Sequence, residues 1–251
     1  MFNSISRAIG RWLASFLSKA LPGYQRLDTI SIEEFAKVIE VGDVLLVEGN
    51  SRISTAIKYL TQSSWSHACL YVGEQRGDVE EPSLIEADLK HGVRLVNLNH
   101  YADFNIRICR PANLTESDCQ QLLAFARAKI GHQYDMKNVF DLLRFLIQKP
   151  AVPNRFRRAM INIGSGEPTK AICSTLIAQS FQSINYPILP LRDEGVGGEG
   201  EVPHFYKRHF THFTPRDFDL SPYFRIVKPT LEKNFDFHNL HWQEEQKGTE
   251  A

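Results

Sequence analysis

Apolar positions along this chain recur with two different periods, and the change between them divides it. Up to position 110 they come as short compact runs: 43–47 (DVLLV), 66–72 (SHACLYV), 83–87 (SLIEA), 93–98 (VRLVNL) and 105–110 (NIRICR). Runs of this length and Val/Ile/Leu content, joined by short polar turns, predict strands in antiparallel succession. A helix is predicted over 31–39, capped by Ser31, with Glu33 and Glu34 in the first turn where carboxylates favour the free N–H groups, and ended by Gly42. Another is predicted over 51–60. From 115 the spacing becomes helical. Thr115 and Asp118 open a stripe of Leu122, Leu123, Ala126 and Ile130 that runs to Gly131, and a further helix is predicted over 135–147. The next, over 173–184, turns Leu176, Ile177, Ser180 and Phe181 inward and is stopped by Pro187 and Pro190. A last strand is predicted over 223–227. Strands first and helices later imply an α+β domain rather than a parallel βαβ sheet.

The flanking segments read differently. Ile5, Ile9, Trp12, Leu13, Phe16, Leu17 and Leu21 have helical spacing, but Arg11 and Lys19 interrupt any continuous apolar run, which excludes a membrane-spanning helix and argues against a signal peptide. A basic amphipathic helix of this kind either lies peripherally on an anionic membrane, through residues 1–21, or packs on its own domain. The organisation expected is an N-terminal helix (1–27), one α+β domain (28–230) carrying a Pro-rich basic insertion (141–170), and a polar tail (231–251). The glycine-rich stretch 191–203 has no apolar period and is expected to be a loop.

Composition narrows the function classes. The 251 residues are 43% apolar and 23% charged, with 29 basic and 29 acidic side chains and no net charge. That is ordinary for a globular chain, and no nucleic-acid partner is indicated. The charge is uneven locally: no acid precedes Asp28, and from Arg144 to Lys170 six basic residues meet only Glu167. The four cysteines (Cys69, Cys109, Cys119, Cys173) are scattered, so neither a disulfide scaffold nor a zinc ribbon is expected, and no cofactor is called for. Reduced thiols without an export signal fit the cytoplasm.

Candidate chemistry lies on two elements. If the hairpin after 66–72 turns at Arg76-Gly77, paired positions sum to 153 and His67 faces Glu86, with Cβ atoms roughly 5 Å apart. A longer loop would shift this register. Glu86 sits between Ile85 and Ala87 in a largely apolar strand, where a carboxylate needs a partner. Asp88 has the same parity but stands nearer the strand end. Cys173 follows the break Gly164-Ser165-Gly166 and Pro168 at the start of a helix, where backbone N–H groups favour a thiolate and an oxyanion. Cys109 and Cys119 do not begin a helix. Cys69 shares a strand face with His67 without a helix dipole. Two cysteines and a histidine offer zinc ligands, but no pair has the tight spacing of known sites, so no metal is expected.

Together, SHACLYVG, LIEA, GHQYD, ICSTLIAQSF and TPRDF resemble the permuted NlpC-type, papain-like cysteine hydrolases of the YiiX/YebB branch, over about residues 41–228. The resemblance implies a circularly permuted papain-like fold, in which the strand histidine precedes the helix cysteine. It carries the base onto His67, the acidic partner onto Glu86, the nucleophile onto Cys173, and a cleft tyrosine onto Tyr134 of Gly131-His132-Gln133-Tyr134. The implied activity is hydrolysis of an amide or ester in a peptide-like or acyl-lipid substrate. Acyl transfer by the same residues and a non-catalytic membrane-associated binding module are the alternatives. The 141–170 stretch and the N-terminal helix lie outside what the resemblance explains.

Overall fold

All four residues of the run Val44–Val47 are buried, and a strand covered on both faces belongs inside a sheet. The structure, a computed structural model, describes residues 15–27, 29–75, 81–88, 90–132, 172–192 and 205–232, with 236 and 238. Its strands are β1 (Val44–Val47), β2 (His67–Gln75), β3 (Glu81–Asp88), β4 (Gly92–Asn97), β5 (Ile106–Pro111), β6 (Leu191–Arg192), β7 (Phe205–Tyr206) and β8 (Phe224–Val227). Six form an antiparallel sheet in the order β4-β3-β2-β1-β5-β8, so β1 is indeed interior. The helices are α1 (Ile32–Ala36), α2 (Arg52–Thr61), α3 (Glu116–Arg127), α4 (Ile172–Ser183), α5 (Pro215–Leu220) and α6 (Pro229–Glu232).

Side-chain alternation sorts the sheet into two cores. Val44, Leu46, Ala68, Leu70, Ile85, Ala87 and Cys109 face a helical layer that contributes Leu122 and Ala126 from α3, Leu176, Ile177 and Phe181 from α4, and Phe218 from α5. Leu45, Val47, Cys69, Tyr71, Leu84 and Ile108 face a thinner cover made by Ile32 and Phe35 of α1 with Leu98 and Tyr101 of a 3-10 turn. The expected α+β arrangement is therefore present, as are the caps expected at Ser31 and Thr115, and the structure adds one at Ser51. The Ser31 and Ser51 side chains each accept a backbone N–H at their helix starts, and Thr115 with Asp118 forms a capping box.

Three segments differ from the sequence reading or fall outside it. The stretch 191–203 is not wholly loop, because Leu191–Arg192 pairs with Phe205–Tyr206 in a two-stranded ribbon. The helix expected over 135–147 and the connector 150–168 lie outside the described residues. So does most of the N-terminal amphipathic pattern. Where that segment is described it packs on the domain: Leu17 is buried, Ala20 bridges to Ser51, and the Leu21 N–H donates to Asn50 O at 2.8 Å. Among the described residues no helix is long and apolar enough to cross a membrane.

Candidate active site

His67 opens β2, and the chain leading into it is fastened on three sides. The Ser66 N–H donates to Val47 O at 3.1 Å, and the Ser66 hydroxyl accepts the Gly49 N–H at 2.9 Å. Gly49 allows this close approach: a Cβ there would stand 2.3 Å from Ser54 Oγ and 2.9 Å from Ser66 Oγ. Trp65 donates from its indole to Asp219 at 3.3 Å, while Arg107 binds the same carboxylate at 2.7 Å and stacks 4.8 Å from the centre of a Trp65 ring. The imidazole is thus carried by backbone held at both sheet and helix.

On β3, Glu86 is 3% exposed and meets His67 with Oε2 to Nε2 at 2.7 Å. The expected pairing of His67 directly with Glu86 is corrected here. Leu70 pairs with Ile85 and Tyr71 with Leu84, a sum of 155, and a bulge follows between Tyr71 and Glu74. Continuing that register sets Glu86 opposite Cys69 and diagonal to His67. A slip of two leaves the side-chain parity unchanged, so Glu86 stays on the imidazole's face. Asp88 lies at the strand end and bonds His91 and Arg94 instead.

Two residues complete the carboxylate's surroundings that sequence reading did not single out. Tyr101 donates its phenol O–H to Glu86 Oε2 and accepts the Cys69 thiol at 3.3 Å. Arg94 reaches Glu86 Oε1 through Nε at 2.9 Å and its terminal NH2 nitrogen at 2.8 Å. Arg94 is the direct cross-strand partner of Glu86 on β4, so the β3–β4 hairpin register could have found it. Tyr101 lies in a 3-10 turn, which has no period to read.

Burial alone would raise the Glu86 pKa, but hydrogen bonding and charge from His67, then Tyr101 and Arg94, bring it down to about 2. An ionised carboxylate only accepts, so His67 Nε2 carries the hydrogen and Nδ1 is free for a second partner. Burial pushes the Tyr101 phenol well up, and the neighbouring Cys69 and Glu86 add to this, so it remains a donor.

Cys173 lies in the first turn of α4, packed from the helical layer against the end of β2, and is 4% exposed. Burial raises its pKa, but His67 beside it and the backbone N–H groups of Ala68 and Ser174 bring the net shift below the ordinary thiol value. For His67, burial disfavours the charge, yet the Cys69 and Cys173 sulfurs outweigh it and hold the pKa well above the usual imidazole value. The thiol is lowered and the imidazole raised, the directions that favour proton transfer from sulfur to nitrogen. Of the residues singled out from sequence, Cys173, His67 and Glu86 are thus brought together, and Tyr134 lies outside the described residues. The ligating atoms of His67, Cys69 and Glu86 also lie within 4.8 Å of one another, a group able to hold a metal ion.

Residues 38–142 match the family described as permuted papain-like amidase enzyme, YaeF/YiiX, C92. Over that stretch the chain is similar to the permuted papain-like enzymes of the YaeF/YiiX type. The matched stretch includes His67, Glu86, Arg94 and Tyr101 and ends before Cys173. A similar solved structure is the metalloprotein yiiX from Escherichia coli O157:H7, which is 16% identical with a TM-score of 0.47, over 75% of this chain and 96% of that one. No curated protein matches the sequence significantly. The family is one of amidases, so amide hydrolysis is the activity its description supports.

Proposed function

We propose that the protein is a thiol hydrolase of amide bonds, in peptide-like or acyl-bearing substrates, working through Cys173, His67 and Glu86. The observation that carries this reading is the 2.7 Å link from His67 Nε2 to a buried carboxylate, on an imidazole whose other side is engaged by a helix-start sulfur. The Cys173 thiolate attacks the carbonyl carbon, and the N–H groups at the start of α4 stabilise the oxyanion. The His67 imidazolium protonates the departing amine, leaving an acyl-enzyme. Water then gives its proton to His67 and its oxygen to the acyl carbon, and the thiol is released as the acid departs. Glu86 holds one imidazole tautomer throughout and stabilises its charged form.

Labelling tests this directly. Cys173 is expected to react with iodoacetamide well below pH 8 in the wild type, and His67→Ala is expected to move that reaction into the ordinary thiol range near pH 8.5. An ordinary thiol profile in the wild type would overturn the reading. Partition of the acyl-enzyme between water and an added amine then separates hydrolysis from acyl transfer.

A further inference from the structure

Tyr101 reaches Glu86 from a single 3-10 turn, Leu98–Tyr101, and such turns have few and poorly aligned hydrogen bonds of their own. Contacts from elsewhere have to fix where the turn ends. Residues 102–105 lead from it to β5, and a short arm at 24–27 is fastened to both ends of that connector. Arg26 donates from one terminal nitrogen to Ala102 O and from the other to Ile30 O, which clips the end of the turn to the residue before the Ser31 cap. The Leu27 N–H donates to Asn105 Oδ1 at 2.8 Å, and the Asn105 N–H donates to the Tyr24 hydroxyl at 2.8 Å. Rings continue the path inward. Between ring centres, Tyr24 lies 5.8 Å from Phe104, Phe104 lies 6.0 Å from Tyr101, and Tyr101 lies 6.1 Å from His67, all within the range of aromatic contact.

We propose that residues 24–27 form a strap that positions the candidate site, with Arg26 acting through Tyr101 on the Glu86–His67 pair. The other cover over the turn is α1, whose Ile32 and Phe35 share a buried cluster with Leu98 and Tyr101. That contact is apolar, and hydrophobic burial has no direction. It keeps the phenol ring covered without setting where its oxygen stands. A group that supports a reactive site has to be held to within about 0.5 Å, and directional bonds do this. The planar guanidinium suits the task, because its rigid fork spans carbonyls of two different elements, whereas an ammonium is a single point charge. The strap lies before residue 38, where the family match begins, so the family description assigns it no role.

The inference rests on the hydrolase reading only for its effect on Cys173, and the test reads the imidazole separately. In protein with 15N-labelled histidine, the His67 Nε2 proton, assigned by its loss in His67→Ala, is expected to be protected from exchange with water. Arg26→Ala is expected to speed that exchange about tenfold and to slow iodoacetamide labelling of Cys173 at pH 7 about threefold, with Arg26→Lys in between. Tyr101→Phe decides the route. In that background Arg26→Ala is expected to change neither rate further, because two residues acting through one contact are not additive. Circular dichroism checks that each variant is folded, and Arg26→Lys carries the same comparison if Arg26→Ala is not. Exchange that stays at the wild-type rate in the folded Arg26 variant overturns the strap, whatever Cys173 does. So does a wild type without a protected proton, or an Arg26 effect undiminished in Tyr101→Phe, which would make Arg26 a purely structural residue. Exchange that responds as expected with Cys173 inert at every pH would retain the strap and remove the hydrolase.

Discussion

Cys69 and Cys173 stand on either side of the same question: both are buried, and both lie beside the His67 ring, yet their acidities move in opposite directions. Burial is the largest influence on each and raises both, and His67 lowers both. What differs is the element that carries them. Cys173, in the first turn of a helix, is additionally faced by the backbone N–H groups of Ala68 and Ser174, and its pKa falls below normal. Cys69, in mid-strand, has its ladder N–H groups committed to the sheet and the negative charge of Glu86 nearby, and its pKa rises despite the Tyr101 hydroxyl. Proximity to an imidazole does not by itself make a nucleophile. The backbone dipoles around the sulfur decide it.

Four experiments break or sharpen that contrast. The largest effect is expected from His67→Ala, which removes the influence the two thiols share. At pH 6 a thiol with an ordinary pKa is less than one part in a hundred thiolate, so labelling of Cys173 should fall about a hundredfold, while Cys69 stays inert. If Cys69 labels alongside Cys173 in the wild type, the contrast fails. Next comes Tyr101→Phe, which keeps the ring packed on His100 and Phe104 but deletes the O–H donated to Glu86. Losing one such bond to a charged group costs about 1.5–3 kcal/mol, only part of which reaches Cys173. Labelling near neutral pH should drop roughly tenfold, with the midpoint of the Cys173 profile displaced upward.

Third is acid stability. Glu86 is lowered from 4.5 to about 2, so its contribution to folding is complete above about 4.5 and is lost as pH falls through about 2. Glu86→Gln should flatten the denaturant-measured stability slope in that window. An unchanged slope would mean that the carboxylate is not held ionised by its partners. The smallest effect is expected from Arg94→Gln. Its side chain is 33% exposed, so solvent screens the pair, and Cys173 labelling should change less than threefold.

Much of the sheet was legible because β1, β2, β3 and β5 are compact apolar runs between turn signals, and burial on both faces leaves such runs no other place. Two helix starts were legible through Ser31 and Thr115, whose side chains are local signals for local structure. The site was legible to the extent that parity carries it: Glu86 could be put on the face of His67 without knowing the register, and the assumed register was in fact off by two. The bulge between Tyr71 and Glu74 holds Gly73 at φ 87°, a glycine that signals a break in strand regularity, so a pairing sum that assumes a regular hairpin is displaced. Tyr101 was missed for a different reason. It reaches Glu86 from a turn whose position depends on how β4 leaves the sheet, and no spacing along the chain encodes that. Leu191–Arg192 escaped because two-residue strands offer no alternation.

The histidine-before-cysteine order sets a timetable as well as a topology. Domains made on the ribosome order from the N-terminal side, and β2, β3, β4 and the turn bearing Tyr101 lie within one short stretch of chain. The base and its supports can therefore assemble while the later part is still being synthesised. Cys173, the sulfur that packs beside them, arrives more than a hundred residues after His67. If Cys173 is the nucleophile proposed above, the nascent chain carries no activated thiol throughout that interval, because the two halves of the site meet only when α4 packs on the end of β2.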